Sequence, residues 1–442
     1  MSKKQSFFSR QQTKSQKTVL TNARIIDPET GYDKVGELVI ENGKIADFGQ
    51  NIFNSTSSDA EIIDCHGHVL CPGLLDIQVH FRTPGQEHKE DIVTGSKSAA
   101  AGGVTTAVCM ANTSPTIDNS QIVDELYDVV KNNSYVNVYT YASITKGLKG
   151  LELTDMEKLK ASGVIGFSDD GLPVMNSLTM RRAMEKAADL GILIAQHAED
   201  SNLSDGGCMN EGAVSKRLGL KGVPNASEAI VVERDLLLLE LTGGHYHVLH
   251  ISTHQAIDAV RRAKAKGLNV TCEAAPHHFA LTDEAVEQWG TLAKMNPPLR
   301  AEKDRLAIIE GIKDGTIDVI ATDHAPHDPD SKCVHISKAA FGIVGLETML
   351  PLSLALYHNK TLSLKEVLGK MTYKAADVIG KSTGRIKKGA EADIAVIDLN
   401  YKWDIKSEEL SSKSKNTPFE NYSTIGRAVR TIVGGKTVYS LE

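Results

Sequence analysis

LLDIQVHF, residues 74–81, is a short apolar run that closes on His80, with Arg82 directly after it. Its length and composition predict a buried β-strand. Seven runs of the same kind follow: VTTAVCM (104–110), VNVYTYASI (136–144), GVIGFS (163–168), ILIAQH (192–197), YHVLHIS (246–252), NVTCEA (269–274) and DVIATD (318–323). Polar loops and amphipathic segments separate them, such as SLTMRRAMEKAADLG (177–191) and KDRLAIIEGIKDG (303–315), with Ser or Asp at several helix starts and Gly at several ends. Eight such units predict an α/β chain folded as a (β/α)8 TIM-type barrel. An open doubly wound sheet is the alternative, weakened because no Gly-rich dinucleotide or phosphate loop follows the first run.

Outside this region the pattern is β. TVLTNARIID (18–27) leads into GELVIENGKIADFG (36–49), where Asn42-Gly43 predicts a tight hairpin. GRIKKGAEADIAVIDL (384–399) and VRTIVGGKTVY (429–439), with a hairpin at Gly434-Gly435, repeat that style at the other end. Each end is too small to bury a core alone, so the two are expected to join in one small β-sandwich subdomain. The expected division is a tail at 1–17, the β subdomain at 18–72 and 384–442, and the barrel at 73–383. The tail, MSKKQSFFSRQQTKSQK, is basic and free of acidic residues. A transit peptide shares that composition, but disorder is the expectation.

Of 442 residues, 41% are hydrophobic and 24% charged, with a formal net charge of −7, which argues against a nucleic-acid surface. No apolar run is long enough to cross a bilayer. Six scattered cysteines (Cys65, Cys71, Cys109, Cys208, Cys272, Cys333) form no close pair, which argues against a disulfide scaffold and fits a reducing, cytoplasmic setting.

In a barrel the catalytic groups lie where strands end. Here those ends carry His80 and Arg82, then Asn112, Asp169-Asp170, His197, His250, and finally Asp323, His324 and His327. A lone buried histidine usually satisfies a core contact, and an aspartate after a strand usually caps a helix. The recurrence of both types at five of eight ends points to a divalent metal such as zinc. Of the adjacent Asp169 and Asp170, only one is expected to face the ion. His66 and His68 precede the barrel, and His245 and His247 open the sixth strand at its far end. Period-two alternation puts His247 on the opposite side from His250. His277 and His278 follow the seventh strand and are left open between loop packing and a role at the site.

Taken together, PGLLDIQVHFRTPGQEHKED, AAAGGVTTAVCMANTSPTID, GFSDDG, QHAED, LHIST, MNPPLR and ATDHAPH resemble class I dihydroorotases of the amidohydrolase superfamily. The resemblance implies reversible cyclisation of N-carbamoyl-L-aspartate to (S)-dihydroorotate in pyrimidine synthesis, by hydroxide supplied at one or two zinc ions. It implies metal ligands His80, Asp170 (bridging), His197, His250 and Asp323, with Asp323 also carrying the proton. Arg82, Asn112 and His327 would hold the substrate carboxylate, Asn296 the ring, and backbone at Phe341-Gly342 would close over it. The substrate is then a small molecule, and a homodimer or a complex with aspartate carbamoyltransferase stays open.

The chain departs from that pattern at Gln78, where a second histidine is expected. An amide oxygen is a weaker zinc ligand than imidazole, so one firm and one weakened metal position are expected. Ala111 and Phe341 each stand in place of a proline. A hydantoinase or allantoinase is a less favoured reading, since GVIGFSDDG has no lysine to bridge two metals. A catalytically silent homologue that partners aspartate carbamoyltransferase is the other alternative, motivated by Gln78.

Overall fold

The structure, a computed structural model, describes residues 6–9, 17–53 and 59–441. Each of the eight apolar runs holds one strand. Leu74–Val79, Val104–Cys109 and Asn137–Thr140 form a parallel sheet. Gly166–Phe167, Leu193–Gln196, His245–Val248, Val270–Ala274 and Val319–Ile320 form a second, each strand parallel to the next. Parallel bridges at Ala142–Phe167 and Val79–His324 link the two sheets at both edges. The strands therefore follow one another in chain order, without the reversal that a doubly wound sheet contains.

Alternation along the strands explains how both faces are buried. Tyr246, Val248 and Ile194 join a core cluster with helix residues such as Ala183, Val232 and Ile257. Leu75, Ile77, Val108, Tyr141, Ala195, Leu249 and Val319 pack against one another in a second cluster. The first strand departs from its regular register between Asp76 and Val79, so Val79 packs on the helix side while Gln78 and His80 reach the interior.

Both chain ends meet in one nine-stranded sheet. Ile394–Asp404 pairs antiparallel with Val69–Pro72 and with Ser423–Val433, and Tyr32–Glu41 turns into Lys44–Gly49. The turn is Asn42-Gly43, both with positive φ (51° and 81°), as the hairpin reading requires. The expected tail is corrected in part. Ser6–Phe8 is an edge strand antiparallel to Lys436–Leu441, whose outer backbone groups it pairs, and Phe8 packs on Tyr439 at 5.3 Å. Residues 1–5 and 10–16 of that expectation lie outside the described residues.

Gly73 joins the nine-stranded sheet to the first parallel strand. A Cβ there would lie 2.1 Å from Thr105 Oγ1 and 2.6 Å from Thr105 Cβ. Gly73→Ala is therefore expected to destabilise the chain by about 1–3 kcal/mol, read as a lower urea midpoint. An unchanged midpoint would show that the junction yields freely. Among the described residues no helix is long and apolar enough to cross a membrane.

Candidate active site

A cavity of about 270 Å³ opens at the carboxyl ends of the parallel strands. His80, Arg82, Asn112, Asp170, His197, His250, Asn296, Asp323, His327, Phe341 and Gly342 all line it. The structure thus brings together every site residue expected from the sequence except Gln78, which is fully buried behind the wall. Three of these residues, Arg82, His250 and Asp323, have positive φ (61°, 31° and 50°), a strained conformation for side chains of this kind. At His250 the strain has a visible effect. Tyr246 and Val248 pack on the helix side, so strict alternation would turn residue 250 outward as well; the left-handed backbone swings its ring inward instead. The expectation based on strict alternation is corrected accordingly: His247 also faces the interior, 3.1 Å from Glu273, but below the cavity.

Hydrogen bonds orient the imidazoles of His80 and His197. His80 Nδ1 donates to Asn112 Oδ1 at 2.9 Å, which leaves its Nε2 lone pair facing Asp323 Oδ1 at 3.1 Å and Asp170 Oδ2 at 3.4 Å. His197 Nε2 donates to Glu199 at 2.9 Å, so its Nδ1 faces His250 Nε2 at 2.9 Å and Asp170 Oδ1 at 3.7 Å. Asp170, His197 and His250 are all buried, and their ligand atoms lie within 4.8 Å of one another. The His80 lone pair facing two carboxylates, beside a carboxylate and two imidazoles gathered within 4.8 Å, suits a cation between them, and imidazole with carboxylate is the donor set of zinc. The residues present fit a divalent ion.

The electrostatics agree. Burial would raise the Asp170 carboxyl, but the imidazoles gathered around it, His250 first and then His80 and His197, hold it well below the ordinary carboxylate range, so it is an anion. Burial would likewise raise Glu199, yet His197, Ser204 and Asn296 bring it down to about 2. Burial lowers the Arg82 guanidinium to about 10, opposed by Asp323 and Asp170, so it stays charged at neutral pH. Burial, then Arg82 and Lys332, push His327 down to about 2, leaving a neutral ring whose Nε2 donates to the Phe341 carbonyl at 2.8 Å.

Asp169 points elsewhere and accepts from the backbone N–H groups of Ile144 (2.7 Å) and Thr145 (3.1 Å). His277 and His278 do not line the cavity; His278 is held by the Pro297 carbonyl at 3.0 Å. His66 and His68 belong to the small sheet region, away from the site. Gln78 Nε2 donates to Asp170 Oδ1 at 3.3 Å, and its buried Oε1 has no hydrogen-bond partner.

A family model described as dihydro-orotase-like matches residues 67–256. A dihydroorotase of Wolbachia sp. subsp. Drosophila simulans (strain wRi) is 56% identical, with 97% of each chain covered. The chain belongs to the dihydroorotase family. A dihydroorotase of Geobacter metallireducens is 48% identical over 95% of this chain and 99% of its own. In fold, the chain is similar to the L-hydantoinase (dihydropyrimidinase) of Arthrobacter aurescens, with a TM-score of 0.85 at 24% identity and 95% of each chain covered. It is also similar to a D-hydantoinase from Thermus sp., with a TM-score of 0.83 at 25% identity over 95% and 94% of the two chains. As a dihydroorotase-family member the chain is a metal-dependent cyclic amide hydrolase.

Two residues of this dihydroorotase-family site escaped the sequence reading. Glu199 orients His197 and accepts from Asn296 Nδ2 at 2.5 Å. Its position two residues after His197 was the available signal. Asn416, far along the chain, reaches the strand-eight loop, and no local pattern marks it.

Proposed function

We propose that the chain is a class I dihydroorotase, interconverting N-carbamoyl-L-aspartate and (S)-dihydroorotate at zinc, in cytoplasmic pyrimidine synthesis. The observation that carries this is one cavity lined both by a buried imidazole–carboxylate cluster and by Arg82 with His327. We read the eight linked parallel strands as a (β/α)8 barrel over residues 73–383. The nine-stranded sheet, from Ser6–Phe8 and from strands within 17–72 and 384–441, is read as a small β-sandwich, since Leu20, Leu38, Leu70, Val396 and Ile432 share one cluster.

Asp170, His197 and His250 would hold one zinc firmly, and His80, Asp323 and Asp170 would frame a second position. A divalent ion held there would supply Lewis acidity and lower the pKa of the attacking water. Arg82 Nε donates to the Pro326 carbonyl at 3.3 Å and Nη2 lies 3.4 Å from His327 Nε2, so Nη1 is the nitrogen left for the substrate carboxylate. Asn112, fixed between His80 and Asp170, and His327 border the same place. Asn296 faces the ring, and Phe341-Gly342 closes the rim. During ring opening Asp323 takes the proton of the attacking water and gives it to the ring nitrogen as the C–N bond breaks. Cyclisation runs the same transfers backwards.

Gln78 weakens the second position, because its amide nitrogen, turned to Asp170, has no lone pair for a cation. Gln78→His is expected to raise bound zinc by about one equivalent per chain, measured by elemental analysis after loading. Equal zinc content in both proteins would remove the glutamine's proposed effect. The reading as a whole is tested by carbamoyl-aspartate formation from dihydroorotate with zinc-loaded protein. Turnover supports it, and its absence would make the chain a silent homologue.

A further inference from the structure

We propose that Asn416 is a positioning residue for substrate binding, holding in register the two loops that carry His327 and Phe341-Gly342. This rests on the proposed contact of those loops with substrate. Asn416 is 3% exposed, and its carboxamide is fully used. Its Oδ1 accepts from the His327 backbone N–H at 3.0 Å, and Nδ2 donates to the carbonyls of Ala325 and Gly342, both at 3.0 Å. Its own carbonyl accepts from the Val344 N–H at 2.9 Å. One acceptor and two donors on a single planar group is what a carboxamide alone among the side chains provides. The two loops are therefore not joined only through the His327–Phe341 contact; a segment 74 residues beyond Gly342 pins both from below.

That segment is itself anchored to the barrel rim. Ser411 N donates to Glu347 at 2.6 Å, Lys413 N to Glu90 at 3.2 Å, and Ser414 Oγ to the Lys89 carbonyl at 2.6 Å. Glu90 lies two residues before the helix Ile92–Ala101, next to its N-cap Asp91, while Lys89 lies in the loop that follows Arg82. The anchor thus ties the Arg82 loop and the His327 loop to the same short stretch. Arg82 Nε meets the Pro326 carbonyl between them.

Asn416→Asp keeps the shape and the bond to His327 but sets a carboxylate oxygen against two carbonyl oxygens. The expected result is a KM for dihydroorotate raised about tenfold, kcat within about threefold of wild type, and zinc content unchanged. Lys415→Ala removes a bond inside the same segment, from Nζ to the Leu410 carbonyl at 2.6 Å, without touching the loops of Arg82, His327 or Phe341, and is expected to lower Tm while leaving KM unchanged. His327→Ala gives the reference rise in KM. A KM raised by His327→Ala but not by Asn416→Asp would overturn the inference alone. A KM unmoved by His327→Ala would overturn the underlying assignment of that loop, and the inference with it. Equal KM effects from Lys415→Ala and Asn416→Asp would reduce Asn416 to a merely structural role. Should Asn416→Asp fail to fold, Asn416→Ser is measured instead, with the same direction expected.

Discussion

Asp323→Asn is expected to lower kcat for dihydroorotate ring opening by about a thousandfold while KM stays within a few-fold of wild type. The proposed role needs a base at this place. Asp323 lies 3.1 Å from His80 Nε2 at the cavity wall, on a backbone held at φ 50°, where the chain leaves the last parallel strand. The amide is isosteric but cannot take the proton of water or deliver it to the ring nitrogen. A uniform rise in KM at unchanged kcat would instead make Asp323 a binding group. A rate unaffected in both constants would remove it from the reaction.

Loss of an imidazole from the buried cluster is expected to act still more severely. His250→Ala should abolish measurable turnover and leave the protein unable to retain zinc through dialysis, because only two of the three clustered ligands remain. Stability should also respond. An ion bound only by the folded chain stabilises it by roughly 4 kcal/mol when present at a thousand times its dissociation constant. Zinc should therefore raise the Tm of wild type and not that of His250→Ala. A variant that kept both its zinc and its rate would place the ion elsewhere.

Much of this site was legible because its chemistry sits at predictable places. Once eight apolar runs are read as strands, their carboxyl ends are known, and His80, Asp170, His197, His250 and Asp323 fall on five of them. Two features hid from that logic for physical reasons. Period-two alternation assumes regular backbone, whereas His250 reaches the cavity through a left-handed residue and His80 through a register shift in its strand. Asn416 acts through long-range hydrogen bonds that no local periodicity encodes. The N-terminal Ser6–Phe8 was missed for a related reason. Its basic surroundings suggest disorder, yet three residues suffice to complete the edge of a sheet built from the other end of the chain.

Gln78 remains the position where sequence and geometry together say most. The resemblance to dihydroorotases marks it as a weak ligand in place of a histidine, while the structure adds that its nitrogen faces Asp170 and its oxygen has no partner. Such an orphaned buried oxygen costs free energy on the order of 1–3 kcal/mol unless something occupies the space beside it.

The most direct test is anomalous diffraction at the zinc edge from crystals of the zinc-loaded protein. The account predicts a strong peak about 2.0–2.2 Å from ligand atoms of Asp170, His197 and His250, with weaker density beside His80 and Asp323. A principal zinc peak away from those three residues, or none in fully loaded protein, would contradict it.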